Sequence, residues 1–134
     1  MDKARGVLML VLLTAASAQA VTPSALVSGY ATQAGMAVEQ IDPVAGERLF
    51  RQGGSGEKQC TSCHTPDPRA AGKTRAGKRI EPMAPAVNPA RFTDAAKVEK
   101  WFGRNCKDVL GRECTPVEKA GVLAWLMRIG QEEK

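Results

Sequence analysis

The chain has 134 residues and a net charge of +5, and 43% of its residues are hydrophobic although only 4% are aromatic. This length accommodates one ordinary domain. Because so few aromatic residues are interleaved with the basic ones, the composition argues against a nucleic-acid-binding surface.

The first 20 residues have the pattern of an export signal. A charged start, Met1–Arg5, precedes an apolar run from Val7 to Leu13, and Ala18-Gln19-Ala20 places small residues where a signal peptidase cleaves. The apolar run is too short to span a bilayer. We therefore predict a signal peptide at residues 1–20 and a mature domain at 21–134, with a short membrane anchor as the alternative. No later segment is apolar enough to cross a membrane.

Capping residues and hydrophobic periodicity predict four helices. The last has the clearest start, because Thr115-Pro116-Val117-Glu118 combines an N-cap, a proline at the first helical position and a capping-box glutamate. The segment 55–88 is rich in Gly, Pro and basic residues and should be mostly loop, with a turn of helix at residues 60–64. The helices are expected at residues 22–35, 42–52 and 94–106, and from 115 onward.

The predicted fold is all-α, because no segment alternates convincingly with period two. With one Tyr, two Trp and three Phe, a few short helices would bury only a thin core. Small domains of this kind are marginal unless something else stabilises them. The composition therefore favours a large apolar cofactor at the centre of the helices.

The run from Cys60 to His64 (CTSCH) has the spacing used for covalent haem attachment. Two thiols three residues apart can add to the two vinyl groups on one edge of a porphyrin. The next residue then lies under the iron, and imidazole is a suitable axial ligand. His64 is the only histidine of the chain. We therefore predict one haem c bound covalently by Cys60 and Cys63, with His64 on the iron.

Two other kinds of site can use this motif. A disulfide oxidoreductase would normally place Cys-x-x-Cys after a strand, and no strand is predicted there. A structural zinc site could combine these residues with Cys106 or Cys114. However, adjacent Cys63 and His64 fit one tetrahedron poorly, and one thiol would be left over. Since covalent haem uses Cys60 and Cys63, the remaining two cysteines can form a disulfide.

The helix before the motif is also informative. Gly46, followed by Leu49-Phe50, resembles the first helix of class I cytochromes c. In those proteins the glycine permits a close crossing with the C-terminal helix, where Gly121, Leu123 or Trp125 could face it here.

The second axial ligand of the iron decides between two functions. An electron carrier usually has a methionine there, but the interval 106–115, where class I cytochromes place it, contains none. Met83 is the serious candidate, because Met127 is expected to fill the core. Asn105 is the other candidate, since it follows Trp101 by four positions on a face expected to point inward. A simple C-terminal helix cap is the alternative role for Asn105.

The sequence resembles the sphaeroides haem protein family, periplasmic class I-like cytochromes c, over most of the mature chain. The resemblance rests above all on Val87–Thr93, on Arg104-Asn105-Cys106 and on Gly111–Thr115. It implies His64 and Asn105 as axial ligands and a disulfide between Cys106 and Cys114. It also implies that the asparagine leaves the iron on reduction, which opens a site for oxygen, nitric oxide or carbon monoxide. Electrons would come from other cytochromes, and the protein would act in electron transfer and ligand binding rather than as an enzyme.

A basic loop from Arg69 to Arg79 contains five basic residues and no acidic one. It is a candidate docking surface for an acidic redox partner, since complementary fields raise encounter rates. A solvated loop with no partner is the equally weighted alternative. Two functions therefore stand: a haem protein that binds a diatomic ligand, and a His/Met electron carrier that uses Met83.

Overall fold

The computed structural model describes residues 19–55 and 58–131. Nearly all of the predicted signal peptide lies outside these residues. The described elements follow the predicted order, and the fold is all-α apart from one short hairpin. The elements are α1 (Pro23–Gln33), a 3-10 turn (Val38–Gln40), α2 (Pro43–Gln52), α3 (Cys60–His64), β1 (Gly72–Lys73), β2 (Arg79–Ile80), α4 (Ala95–Leu110) and α5 (Pro116–Arg128).

The helix starts form as their sequences predict. The Thr22 hydroxyl accepts a hydrogen bond from the Ala25 N–H at 3.1 Å. At α5 the capping box is complete: the Thr115 hydroxyl accepts from the Glu118 N–H at 3.2 Å, and the Glu118 carboxylate accepts from the Thr115 N–H at 2.8 Å. Each such bond satisfies a backbone donor that the helix itself leaves unpaired.

Two features differ from the prediction. Helix α4 continues to Leu110 rather than ending at residue 106, because Gly111 supplies the left-handed C-cap (φ 71°). Within the predicted loop, β1 and β2 pair antiparallel, with Gly72 opposite Ile80. Strands of two residues are too short to show alternation, which is why the sequence did not reveal them.

The closest helix crossing joins α2 to α5. A Cβ atom added at Gly46 would lie 2.1 Å from the carbonyl carbon and oxygen of Gly121, and one at Gly121 would lie 3.3 Å from the Gly46 Cα. Both glycines are buried. The predicted glycine contact between these helices is therefore confirmed, and Gly121 is the residue that faces Gly46.

Helix α5 contributes buried residues to two clusters of the hydrophobic core. One cluster of buried residues joins it to α1, and the other joins it to α2 and contacts Cys60 and Met83 at its edge. The first cluster comprises Val27, Tyr30, Ala31, Ile41, Ala120 and Leu123, and the second comprises Phe50, Val122, Trp125 and Leu126.

Helix α4 is different, because only Val98 and Cys106 of its sixteen residues are buried. Phe102 is partly buried and packs against both clusters. Among the described residues, no helix is long and apolar enough to cross a membrane.

Candidate haem site

Helix α3 presents the two cysteines and the histidine on little more than one turn. The Ser62 hydroxyl accepts from the Gln59 N–H at 3.2 Å at its start, and Thr65, with φ 65°, ends it. Both cysteines are partly buried, and neither forms a disulfide. The short helix therefore brings Cys60, Cys63 and His64 together, as the motif predicts.

The hairpin supports α3 from one side. A Cβ atom added at Gly72 would lie 1.9 Å from the Cys63 carbonyl oxygen and 3.1 Å from the His64 Cα. Only a glycine lets β1 approach the α3 backbone this closely. The hairpin thus fixes the backbone that carries Cys63 and His64.

The rings of His64, Phe50 and Trp125 form an aromatic stack that supports the histidine. The His64 ring lies 6.1 Å from the Phe50 ring, which lies 5.2 Å from the Trp125 ring. Arg51 donates to the Pro66 carbonyl at 2.9 Å, and its guanidinium lies 5.3 Å from the Trp125 ring centroid. These contacts connect the segment just after His64 to α2 and α5.

The imidazole of His64 is held in its neutral form. Burial, and next the positive charge of Arg91, lower the pKa of His64 to about 4. Its Nδ1 atom is buried and has no hydrogen-bond partner among the described residues. A neutral imidazole with an unpaired ring nitrogen is chemically suited to metal ligation.

The thiols lack the features of a reactive redox pair. Burial raises the pKa of the Cys60 thiol, whereas disulfide oxidoreductases lower the pKa of their attacking cysteine. Within residues 19–55 and 58–131, no group of three or more His, Cys, Asp or Glu side chains is arranged to hold a metal ion.

Asn105 lies in the penultimate turn of α4, immediately before the disulfide-bonded Cys106. The protein chain leaves it exposed, and Trp101, one turn before it, is 47% exposed. The inward direction of the Asn105 side chain stays a prediction. Asn105 is not the cap of α4, because the helix continues five residues beyond it.

Met83 lies beside the aromatic stack rather than on α4. Its side chain is partly buried and packs against the second cluster, which also contacts Cys60. The Met83 and Ala84 N–H groups both donate to the Pro68 carbonyl, at 2.9 and 3.0 Å. Met127 packs against the first cluster, as expected for a residue that fills the core.

The disulfide between Cys106 and Cys114 is present, with a Cα–Cα distance of 5.6 Å. Both cysteines are buried. The bond links the penultimate turn of α4 to the residue just before the Thr115 cap of α5. It therefore anchors α4 directly beside Asn105.

Arg91 is a feature of the site that the sequence reasoning missed. It is partly buried, and it donates to the Pro82 carbonyl at 3.0 Å and to the Glu81 carbonyl. Burial lowers the pKa of its guanidinium. Arg91 lies in the segment 87–93 that carries the family resemblance, but nothing in its spacing indicated that it acts on His64.

The residues present fit a covalently bound haem. Two free thiols stand beside a neutral, partly buried histidine, against an aromatic cluster and at the edge of a thin core. A helical fold with this CTSCH site defines the class of c-type cytochromes with a class I-like fold.

The comparisons with known proteins agree with this class. Over 124 residues the chain is 48% identical to the cytochrome c-type protein SHP of Cereibacter sphaeroides, covering 90% of this chain and 94% of that protein. It is 47% identical over 81 residues to cytochrome c'' of Methylophilus methylotrophus, covering 60% of this chain and 56% of that protein. Residues 36–126 match the family described as a domain of unknown function, DUF1924.

Solved structures show the same relationship. The structure of oxidised SHP, described as an oxygen-binding cytochrome c, has a TM-score of 0.70 and 50% identity, covering 78% of this chain and 95% of that one. Oxidised cytochrome c'' from M. methylotrophus has a TM-score of 0.68 and 38% identity, covering 78% and 92%. The chain belongs to the DUF1924 family and to the sphaeroides haem protein family, and it is a monohaem cytochrome c.

Proposed function

We propose that this cytochrome is exported to the periplasm, accepts electrons there and, when reduced, binds a diatomic ligand such as oxygen, nitric oxide or carbon monoxide. The observation that carries the proposal is the CTSCH helix in a chain 48% identical to SHP. The structure of SHP is described as that of an oxygen-binding cytochrome c. The signal peptide at residues 1–20 and the mature domain at 21–134 are part of the proposal.

The haem would be held by α3. The Cys60 and Cys63 thiols would each add across a vinyl group, with the sulfur bonding to carbon and the thiol proton passing to the other vinyl carbon. His64 would ligate the iron through its neutral imidazole, since Arg91 and burial disfavour protonation. The bound haem would supply the redox chemistry and the site for a diatomic molecule.

Asn105 is proposed as the second axial ligand in the oxidised protein. A neutral amide is a weak ligand, so Asn105 would leave on reduction and make room for an external molecule. Its place on α4 supports this role, because the disulfide at Cys106 anchors the helix directly beside it.

Met83 is the alternative ligand and would make the protein a His/Met electron carrier. The observation that favours it is its packing against the cluster that also contacts Cys60. Two N–H bonds to the Pro68 carbonyl fix its backbone in that place. It remains the second candidate.

Electron donors are proposed to dock at the basic loop, which the structure places on the hairpin. Lys73 and Lys78 are exposed on it, while Arg79 pairs with Glu81 at 2.7 Å and Arg75 with Asp108 at 3.6 Å. Because Gly72 contacts the Cys63 backbone, a partner bound at the hairpin would be close to the haem attachment.

Exchanging Lys73 and Lys78 for glutamine should slow reduction by an acidic cytochrome, and most strongly at low ionic strength.

Covalent attachment is tested by expressing the protein with a haem-ligation system and extracting with acidic acetone. The haem should stay with the polypeptide through denaturing electrophoresis, and Cys60→Ala should yield at best a single thioether. Haem that passes into the organic phase would contradict the cytochrome assignment.

The ligand assignment is tested by comparing Asn105→Ala with Met83→Ala. The native ferric form should lack the near-infrared methionine–iron band, and the ferrous form should be high-spin and bind carbon monoxide quickly. Asn105→Ala should change the ferric spectrum to that of a water or hydroxide ligand, while Met83→Ala changes it little. The opposite pattern would establish the His/Met carrier instead.

A further inference from the structure

Three charged or polar side chains from three helices meet beside the first half of α4. The buried Tyr30 hydroxyl of α1 donates to one carboxylate oxygen of Glu99 on α4. The Lys119 Nζ of α5 donates to the other oxygen at 2.9 Å. Both carboxylate oxygens are therefore used, and each connects α4 to a different helix of the core.

The cluster lies at the edge of the core. Tyr30 is 3% exposed and the Lys119 side chain 16% exposed, whereas the Glu99 side chain is 52% exposed. The Lys119 Nζ lies 5.2 Å from the Tyr30 ring centroid and 6.0 Å from that of Phe102, while the two rings meet edge to face at 6.2 Å. The cation near two aromatic rings adds to the cluster on its buried side.

This cluster is one of several attachments of α4 to the rest of the chain. The others include the partly buried Phe102, the disulfide at Cys106, and the ion pairs of Asp108 with Lys58 and Arg75. Asn105 lies between the Glu99 bonds and the disulfide. It is six residues, about 9 Å along the helix axis, after Glu99 and immediately before Cys106.

We propose that Glu99, held by Tyr30 and Lys119, is a positioning residue that sets where α4 holds the Asn105 amide. The inference rests on the proposed role of Asn105 as an iron ligand. With Glu99 released, α4 would pivot on its disulfide, and Asn105 would spend more time away from the iron. External ligands would then enter the ferric site more readily.

The experiment uses ferric holoprotein and measures imidazole association by stopped-flow. Glu99→Gln removes the charge that Lys119 pairs with, and Tyr30→Phe removes one hydrogen bond. Each should raise the imidazole association rate constant about two- to tenfold, the factor that corresponds to one net hydrogen bond. Glu113→Gln is the matched control, because Glu113 pairs with Lys107 at 3.2 Å through exposed side chains and should leave the rate unchanged.

A double-mutant cycle separates positioning from general stabilisation. In an Asn105→Ala background, Glu99→Gln should have no further effect on the rate, since the group that it positions is gone. Unchanged rates in Glu99→Gln and Tyr30→Phe, or the same acceleration with and without Asn105, would overturn the inference while the ligand assignment stands. An Asn105→Ala protein with an unaltered ferric spectrum would overturn both.

Discussion

The two sides of this cytochrome are built differently. On the histidine side, α2 and α5 cross with Gly46 against Gly121, and the stack from His64 to Trp125 is continuous. On the side of Asn105, α4 connects to its neighbours through side chains, including the Glu99 bonds, and through one disulfide. His64, the proposed first ligand, thus lies on a frame of close backbone contacts, and Asn105, the proposed second ligand, lies on a helix held by side-chain contacts.

This difference suits the proposed haem site, at which one ligand would stay and the other would leave. A packed backbone contact has no alternative arrangement of similar energy, so His64, the proposed iron ligand, should keep its place when the second ligand changes. A helix held mainly by side-chain contacts can open locally at a smaller free-energy difference. The proposed exchange of Asn105 for an external molecule would use this inequality.

The largest loss of stability is expected from a substitution at the α2–α5 crossing. Gly46→Ala places a Cβ atom 2.1 Å from the Gly121 backbone, which no flexible side chain can relieve. The holoprotein should lose more than about 3 kcal/mol of unfolding free energy, at or beyond the upper end for overpacking. Urea unfolding followed by circular dichroism measures this loss.

Gly103→Ala is the matched control on α4. Beyond the neighbouring backbone of α4 itself, no described atom lies within 4 Å of a Cβ added at Gly103, and alanine favours a helix by roughly 1 kcal/mol over glycine. This variant should therefore be slightly more stable than the native protein. Equal destabilisation by Gly46→Ala and Gly103→Ala would show that the two sides are packed alike.

The second effect concerns the hairpin that supports α3. Gly72→Ala places a Cβ atom 1.9 Å from the Cys63 carbonyl oxygen, so β1 must move away from α3 or displace it. We expect a destabilisation of about 1–3 kcal/mol and a lower yield of covalently bound haem. The ratio of Soret to protein absorbance in purified material measures that yield. Gly29→Ala, with no neighbour within 4 Å, should give the native ratio.

Some of these features could be predicted from the sequence, and others could not. The helix starts, the α2–α5 glycine crossing and the Cys60–His64 motif were predictable, because each depends on residues close in sequence or on a spacing with one chemical use. The hairpin was not, since a β1–β2 pair of two-residue strands has no period. Nor was the Tyr30–Glu99–Lys119 cluster, whose members lie 69 and 20 residues apart.

Helix α4 shows a further limit. Asn105 was correctly placed on it, but helical periodicity does not say which groups cover a face. The buried residues of α4 are Val98 and Cys106, and the protein chain leaves Trp101 and Asn105 exposed. Periodicity also missed four residues of α4, since the stop at Gly111 depends on its backbone conformation.

The third prediction removes the disulfide beside Asn105. A Cys106→Ser/Cys114→Ser variant loses a bridge over eight residues, which corresponds to about 2–3 kcal/mol of chain entropy. If the bridge also holds Asn105 near the iron, imidazole or cyanide should bind the ferric protein faster than lowered stability alone explains. Native rates with a lower melting temperature would leave the bridge a purely structural role. Haem content should change little in either case.

The smallest effect is a pH dependence of stability from the Tyr30–Glu99 hydrogen bond. That bond is the main cause of the lowered pKa of Glu99. Burial, and next the same bond, raise the pKa of Tyr30 well above 10.

A lowered carboxyl pKa stabilises the fold above the unfolded pKa of about 4.3, and this contribution is lost as the pH falls through the folded pKa. A raised phenol pKa stabilises it below about pH 10, and this contribution is lost as the pH rises toward the folded pKa. Tyr30→Phe should therefore lower the unfolding free energy by about 1 kcal/mol between about pH 5 and pH 10, with a smaller difference from native outside that window. Urea titrations of both proteins from pH 3 to 11 measure it, and a difference independent of pH would mean that Tyr30 acts only through packing.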